Sequence, residues 1–293
     1  MRPPRAILDG YVVGYAPKEK HPALSFLKGT VVLMLIIYPR LFRLVRSPHK
    51  FVMALRGLSR SDIHVFEFRD GLRLRTRNSG SDLRALLETS VWNLYTEGLH
   101  FSPAQDLVVI DIGAHIGTFS VSTAWRFKQS RVYSFEPFKE NFDMFLSNIE
   151  LNRVNNVFPS MAAVAGQRGM VSLGISDSNT GGHSICFAGQ SSTLVEALTL
   201  SDVFSSNGLE RCDLLKIDCE GAEYDILFNT PSSVLRKIKN IAMEYHNVQG
   251  HSGEEMAKFL RANGFEVLFT GVQVTEPWAI GLLRATLKEQ HGS

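Results

Sequence analysis

Two short blocks of the chain concentrate ionisable side chains. The first is Leu214-Leu215-Lys216-Ile217-Asp218-Cys219-Glu220-Gly221-Ala222-Glu223 and the second is Glu244-Tyr245-His246. Side chains alternate along a strand, so Lys216 and Asp218 share one face, and Glu244 and His246 share another. If the two strands are neighbours, these four groups converge at the carboxyl ends, where open α/β sheets bind ligands. Lysine and glutamate are rarely buried unpaired, so Lys216–Glu244 reads as a structural ion pair. That leaves Asp218 and His246 for chemistry, with the imidazole, at its ordinary pKa of ~6.5, suited to general-base work. Asp218, Glu244 and His246 also have the donor types to hold a hard cation such as magnesium, although nothing in the sequence requires one.

A second signal is Val108-Val109-Ile110-Asp111-Ile112-Gly113-Ala114-His115-Ile116-Gly117, a strand running into a glycine turn that opens a helix. Gly113 and Gly117 permit a tight bend and close approach of a ligand. A dinucleotide-binding loop carries glycine where this chain has Asp111. A carboxylate there repels a pyrophosphate but suits an ammonium group, as on the methionine arm of S-adenosylmethionine. The alternative is a βα turn that merely carries glycines. Glu136, in Phe135-Glu136-Pro137, closes the next strand, where an acid can accept both hydroxyls of a ribose. A solvated loop carboxylate is the plainer reading of Glu136 alone. His115 in the turn and His183 in a polar loop are lesser candidates.

The elements that must position these residues follow from periodicity. Runs at 63–68 and 72–77 flank Asp70-Gly71, a hairpin signal, and Ser81 to about Leu94 reads as a helix. Strands are expected at Leu107–Ile112, Arg131–Phe135, Val157–Val164, Gly169–Ile175 (perhaps antiparallel), Leu214–Asp218, Ile241–His246, Phe265–Phe269 and Trp278–Arg284. Helices are expected at Gly117–Phe127, around Phe142 to Ile149, at Ala222–Phe228, at Pro231–Ile238, and from Ser252, which with Glu255 makes a capping box, to Ala262. Residues 177–192 read as a loop. Repeated βα units imply a mostly parallel sheet with helices on both faces.

Composition bounds the alternatives. With 293 residues, 44% hydrophobic and 20% charged, the chain can bury a large core, and disorder and collagen-like structure are excluded. Three cysteines, at 186, 212 and 219, are too few for a disulfide framework, consistent with a cytoplasmic, reducing setting. Residues 1–60 hold eleven Lys or Arg and two acids, so this segment carries +9 of a net +2. Its apolar run from Ala23 to Tyr38 is too short to span a bilayer. On a helix, Arg40, Arg43 and Arg46 share a face, with Leu41, Phe42, Leu44 and Val45 on the other side. Residues 23–46 therefore either lie on an anionic membrane as a peripheral contact or pack on the main domain. The expected organisation is a basic extension over 1–60, a hairpin-and-helix lead-in over 61–100, and the main domain over 101–290.

The glycine turn, Phe135-Glu136-Pro137 and the Lys216–Glu223 run, with Thr199-Leu200-Ser201-Asp202 before that run and Glu244-Tyr245-His246 after it, resemble the FkbM family of S-adenosylmethionine-dependent methyltransferases over residues 63–285. The resemblance implies a class I methyltransferase, Rossmann-like fold with seven strands, the last antiparallel. It implies S-adenosylmethionine as cofactor, held by Asp111, Gly113, Ala114, Gly117 and Glu136, and O-methylation of a hydroxyl on a sugar, glycolipid or natural product. No nucleic-acid partner is expected. Two rival readings are a non-catalytic nucleotide-binding scaffold and an NAD-dependent oxidoreductase, the latter disfavoured by Asp111.

Overall fold

A computed structural model of the chain describes residues 37–175, 183–185, 191–248, 250–269 and 280–288. The apolar run through Ile36, Cys186, Trp278 and most of the 177–192 loop lie outside the described residues.

Two helices, α1 (Tyr38–Leu44) and α2 (Pro48–Leu55), precede the hairpin of β1 (Ile63–Glu67) and β2 (Arg73–Arg77). The lead-in helix is shorter than expected: α3 (Gly80–Leu86) passes into a π-helical turn over Leu87–Val91. The main units follow as β3 (Val108–Ile112), α4 (Thr118–Arg126), β4 (Arg131–Phe135), α5 (Lys139–Asn152) and β5 (Val157–Ser160). After β6 (Ala163–Val164), β7 (Gly169–Ile175) and β8 (Ser191–Leu198) come α6 (Leu200–Ser206), β9 (Leu214–Ile217), α7 (Glu223–Phe228) and α8 (Ser232–Leu235). The chain closes with β10 (Asn240–His246), α9 (Gly253–Ala262), β11 (Phe265–Phe269) and β12 (Ile280–Leu287).

Seven strands form one sheet in the order β11-β12-β10-β9-β3-β4-β5. Pairings from β10 to β5 are parallel, and β12 runs antiparallel to β10 and β11. This is the class I methyltransferase arrangement, with the last strand reversed as expected. Both sheet faces are buried. Ile110, Ile112, Leu215, Ile217 and Met243 pack against α6, α7 and α9, whereas Val109, Val132, Leu214 and Ala242 share a core with α1 to α4. Alternation along the strands therefore puts Asp111, Lys216, Asp218, Glu244 and His246 on the second of these faces.

Two expectations need correction and a third holds. The run expected as one strand over 157–164 is two. Val157–Ser160 lies at the sheet edge, where Pro159 costs no ladder bond, and Ala163–Val164 joins a separate three-stranded sheet, β6-β8-β7. The strand β7 is antiparallel as expected, pairing with β8 in that smaller sheet. β8 itself starts inside the expected loop, because it opens on the polar, exposed Ser191-Ser192-Thr193 and carries no alternating apolar signal.

The described part of the extension is packed. Leu41, Val45, Phe51 and Ala54 are buried in the core shared with Phe66, Leu74 and Leu83. The expected three-arginine face breaks up because α1 ends at Leu44. Arg40 lies over the Trp92 ring at 4.4 Å and Arg46 pairs with Glu67 at 3.1 Å. Phe42 stays exposed. The hairpin is tied to α5 through amides that occupy the β2 edge, Asn148 and Asn152 bonding the backbones of Arg75 and Arg73.

Candidate active site

The glycine turn after β3 is built for close packing of the chain on itself. Gly113 and Gly117 have φ of 76° and 77°. A Cβ on Gly113 would lie 1.7 Å from the Asp218 carbonyl oxygen, and one on Gly117 would lie 1.9 Å from the Phe145 ring. Gly113 and Ala114 line the cleft, but Gly117 serves the α4–α5 contact, which corrects its expected ligand role. His115, at φ 52°, is gripped from outside the sheet: its Nε2 lies 3.3 Å from Oδ1 of the buried Asp82, which Arg77 also holds at 2.8 Å. Burial alone would raise the Asp82 carboxyl, but His115 and Arg77 outweigh it and hold it far below the usual carboxylate range. The hairpin and α3 thus fix the turn.

Glu136 is buried at the tip of β4, in the cleft wall. It accepts the His115 N–H at 2.8 Å and the Phe138 N–H at 3.0 Å. The Asn141 amide also donates to it at 3.4 Å, so of about four acceptor sites roughly one is left for a ligand's hydroxyl. Burial raises its carboxyl, and these hydrogen bonds oppose the rise.

Asp111 does something other than expected. It is fully buried, with Oδ1 3.0 Å from Nζ of Lys216 and Oδ2 accepting from Ser120 at 2.6 Å. Lys216 also donates to the Gly113 carbonyl at 2.7 Å. Burial alone would lower the lysine, but Asp111 and Asp218 outweigh it and raise it. Lys216 therefore pairs with Asp111 rather than with Glu244, and Asp111 is spent inside the protein rather than offered to an ammonium group.

Around Asp218 the carboxyl ends of β9 and β10 meet the lead-in. Asp218 accepts from the Tyr95 hydroxyl at 2.7 Å and lies 3.9 Å from Lys216. Burial would raise it, but Lys216, His246, Tyr95 and Arg84 hold it below its ordinary value, so it stays an anion and a weak base. His246 is enclosed by carboxylates: Nδ1 is 3.1 Å from Glu223, and Nε2 is 3.4 Å from Glu220 and 3.5 Å from Glu244. These overcome the effect of burial and push the imidazole well above its usual range. Carboxylates around both ring nitrogens favour the protonated imidazole, which argues against the base role expected of His246. Glu244 and His246 sit behind the cleft wall rather than in it. Among the described residues no group of three or more His, Cys, Asp or Glu is arranged to hold a metal ion. Asp218, Glu244 and His246 are therefore not assembled as a metal site among the described residues.

Glu220, not singled out from the sequence, lines the cleft. Its backbone is left-handed at φ 54°, a conformation rare outside glycine, and its carbonyl accepts from Ser184 at 2.5 Å. Burial, with repulsion from Asp218 and Glu244, pushes its carboxyl up to about 7 against the pull of His246 and Arg84. Glu223 is structural: fully buried, it accepts the N–H groups of Cys219 and Gly221, each at 3.2 Å, and so ties the turn to His246. The Thr199–Asp202 block is a reciprocal helix cap for α6. His183 packs on Phe138 in the cleft wall, ring centroids 4.0 Å apart. The helix α3 and the π turn close one side of the cleft. Glu136 and Glu220 both line this cleft.

A family model described as the Methyltransferase FkbM domain matches residues 111–267, more than half of the chain. The AMB antimetabolite synthetase AmbE of Pseudomonas aeruginosa is 29% identical over 203 residues, covering 55% of this chain and 10% of that protein. The 31-O-demethyl-FK506 methyltransferase FkbM of Streptomyces tacrolimicus is 27% identical over 203 residues, covering 57% of this chain and 78% of that one. This chain therefore spans about a tenth of the first relative and most of the second. Among solved structures, the magnesium protoporphyrin IX methyltransferase of Synechocystis PCC 6803 is 14% identical with a TM-score of 0.41, covering 86% of this chain and 96% of that one. With the family model matched across the strands that build the cleft, the chain belongs to the FkbM methyltransferase family.

Proposed function

We propose that this methyltransferase takes its methyl group from S-adenosylmethionine and places it on a hydroxyl oxygen of a small molecule, of the kind found on sugars, glycolipids and polyketide-like natural products. The observation that carries this reading is Glu220. A hydroxyl is a poor nucleophile until its proton leaves, and a carboxyl in the cleft tuned to about 7 can take that proton at neutral pH. A general base of this kind is worth about 10²–10⁴-fold in rate. The relative named for a 31-O-demethyl substrate supports oxygen as the acceptor atom.

The residues present fit the donor. Glu136 would receive a ribose hydroxyl, and Gly113 and Ala114 would let the nucleoside approach the backbone. When bound, S-adenosylmethionine supplies a sulfonium-activated methyl, so the chain's own work is binding, alignment and proton removal. Tyr95 and Lys216 hold Asp218 as an anion beside the acceptor position. Positioning of this kind can supply roughly 7–11 kcal/mol. The donor is tested by calorimetry with S-adenosylhomocysteine and NADH: tight binding of the first and none of the second is expected, and the reverse order would contradict the reading.

We further propose that the basic, apolar segment before residue 41 brings the protein to an anionic membrane. Residues 1–40 hold six Lys or Arg against Asp9 and Glu19, a net +4, and this supports the reading. No helix among the described residues is long and apolar enough to cross a membrane.

A further inference from the structure

The lead-in segment brings to the cleft a pair of opposite charges that ribose binding does not use. Arg84 and Glu88 lie one helical turn apart, Nε of Arg84 3.5 Å from Oε1 of Glu88, and both line the cleft. They stand beside the glycine turn, because Thr118, the first residue of α4, donates its hydroxyl to the Ala85 carbonyl at 3.4 Å. Glu88 is buried, whereas 31% of the Arg84 side chain is exposed.

The surroundings of Glu88 favour a cation. Arg84 attracts its charge, Glu244 on β10 and Asp218 after β9 repel it, and Lys216 attracts it more weakly. Burial and this repulsion hold its carboxyl well above the ordinary carboxylate range. Lys216 is already engaged by Asp111 at 3.0 Å. A carboxyl in that state gains from an ammonium group brought next to it, while the exposed part of Arg84 offers N–H groups that match a carboxylate. An ammonium and a carboxylate on one carbon are the two groups of an α-amino acid.

We propose that Glu88 and Arg84 bind the amino-acid end of the methyl donor, Glu88 taking the ammonium and Arg84 the carboxylate, given that S-adenosylmethionine is the donor argued above. The sequence expected Asp111 to take the ammonium, and the lysine that neutralises Asp111 leaves the task to Glu88.

The test uses the full chain and two ligands that share a nucleoside and a thioether sulfur. S-adenosylhomocysteine has the amino-acid end and 5′-methylthioadenosine lacks it. Calorimetry should show the wild type binding the first at least about tenfold more tightly. Glu88→Gln should lose about tenfold or more for S-adenosylhomocysteine and stay within about threefold for methylthioadenosine. Arg84→Gln should do the same. The ratio of the two affinities does not depend on the fraction of folded protein, and Arg84→Gln supplies it should Glu88→Gln fail to fold. Equal loss for both ligands, or no loss for S-adenosylhomocysteine, would overturn the assignment alone. A wild type that binds neither ligand would overturn the donor reading and this assignment with it.

Discussion

Asp111 and Lys216 are register partners on adjacent strands, β3 and β9, with carboxylate and ammonium 3.0 Å apart and both side chains buried. The pair joins the acid that opens the glycine motif to the lysine of the second motif, about a hundred residues later. Because Lys216 also holds the Gly113 carbonyl, the same contact fixes the start of the glycine turn.

Breaking this pair on one side should be costly. Lys216→Met leaves an unpaired buried carboxylate and is expected to destabilise the protein by about 3–5 kcal/mol. The double variant Asp111→Asn/Lys216→Met should recover a large part of that loss. Urea unfolding of the two single variants and the double variant measures the coupling, and additive losses would contradict a buried pair.

Glu220→Gln should lower kcat by about 10²-fold or more, within the range for a lost base. In the wild type, activity should rise with pH through about 7, where the carboxyl loses its proton. The variant should lose that acidic limb while its affinity for S-adenosylhomocysteine stays within about threefold. The same group opposes folding above its unfolded value: a carboxyl raised in the folded state costs stability as pH climbs from about 4.5 to about 7. Glu220→Gln should therefore be more stable than wild type at pH 8, by on the order of 2–3 kcal/mol.

His246 acts on that limb from behind the wall. Its positive charge pulls the Glu220 carboxyl down, so His246→Gln should move the acidic limb to higher pH. The imidazole is raised in the folded state, so its stabilisation is complete below its unfolded value of ~6.5 and fades only as pH rises through the raised value. Wild type minus variant stability should accordingly be largest below pH 6.5 and shrink at alkaline pH. A pH series of thermal unfolding on both proteins checks the sign.

The membrane role and the packing role of the extension are tested by two deletions. Deleting residues 1–36 should abolish flotation with anionic liposomes at low salt. Deleting residues 1–60 removes Leu41, Val45, Phe51 and Ala54 from the core and should give aggregation. Equal flotation by the full chain and the 37–293 chain would contradict the membrane role.

Much of the fold was legible because its parallel strands are short apolar runs buried on both faces, such as Val108–Ile112 and Arg131–Phe135. The small sheet was not, since β8 opens on the polar, exposed Ser191-Ser192-Thr193. Glu136 and the clustering of Lys216, Asp218, Glu244 and His246 could be read from strand ends and alternation. The partners could not. Whether Lys216 meets Asp111 or Glu244 depends on strand order, and both acids lie on the same face of neighbouring strands. The state of His246 depends on Glu220 and Glu223, which come from the turn after β9 rather than from a strand. Glu88 and Arg84 sit in an ordinary i, i+4 pattern that the sequence alone cannot distinguish from a solvated helix face.

The most direct measurement of the central claim is transfer of a labelled methyl from S-adenosylmethionine into a small-molecule extract incubated with the full chain, read by mass spectrometry. The account predicts the label as an O-methyl ether on one or a few hydroxylated compounds, with transfer strongly reduced by Glu136→Ala and by Glu220→Gln. Label found only on nitrogen or carbon, or undiminished transfer by Glu220→Gln, would contradict it.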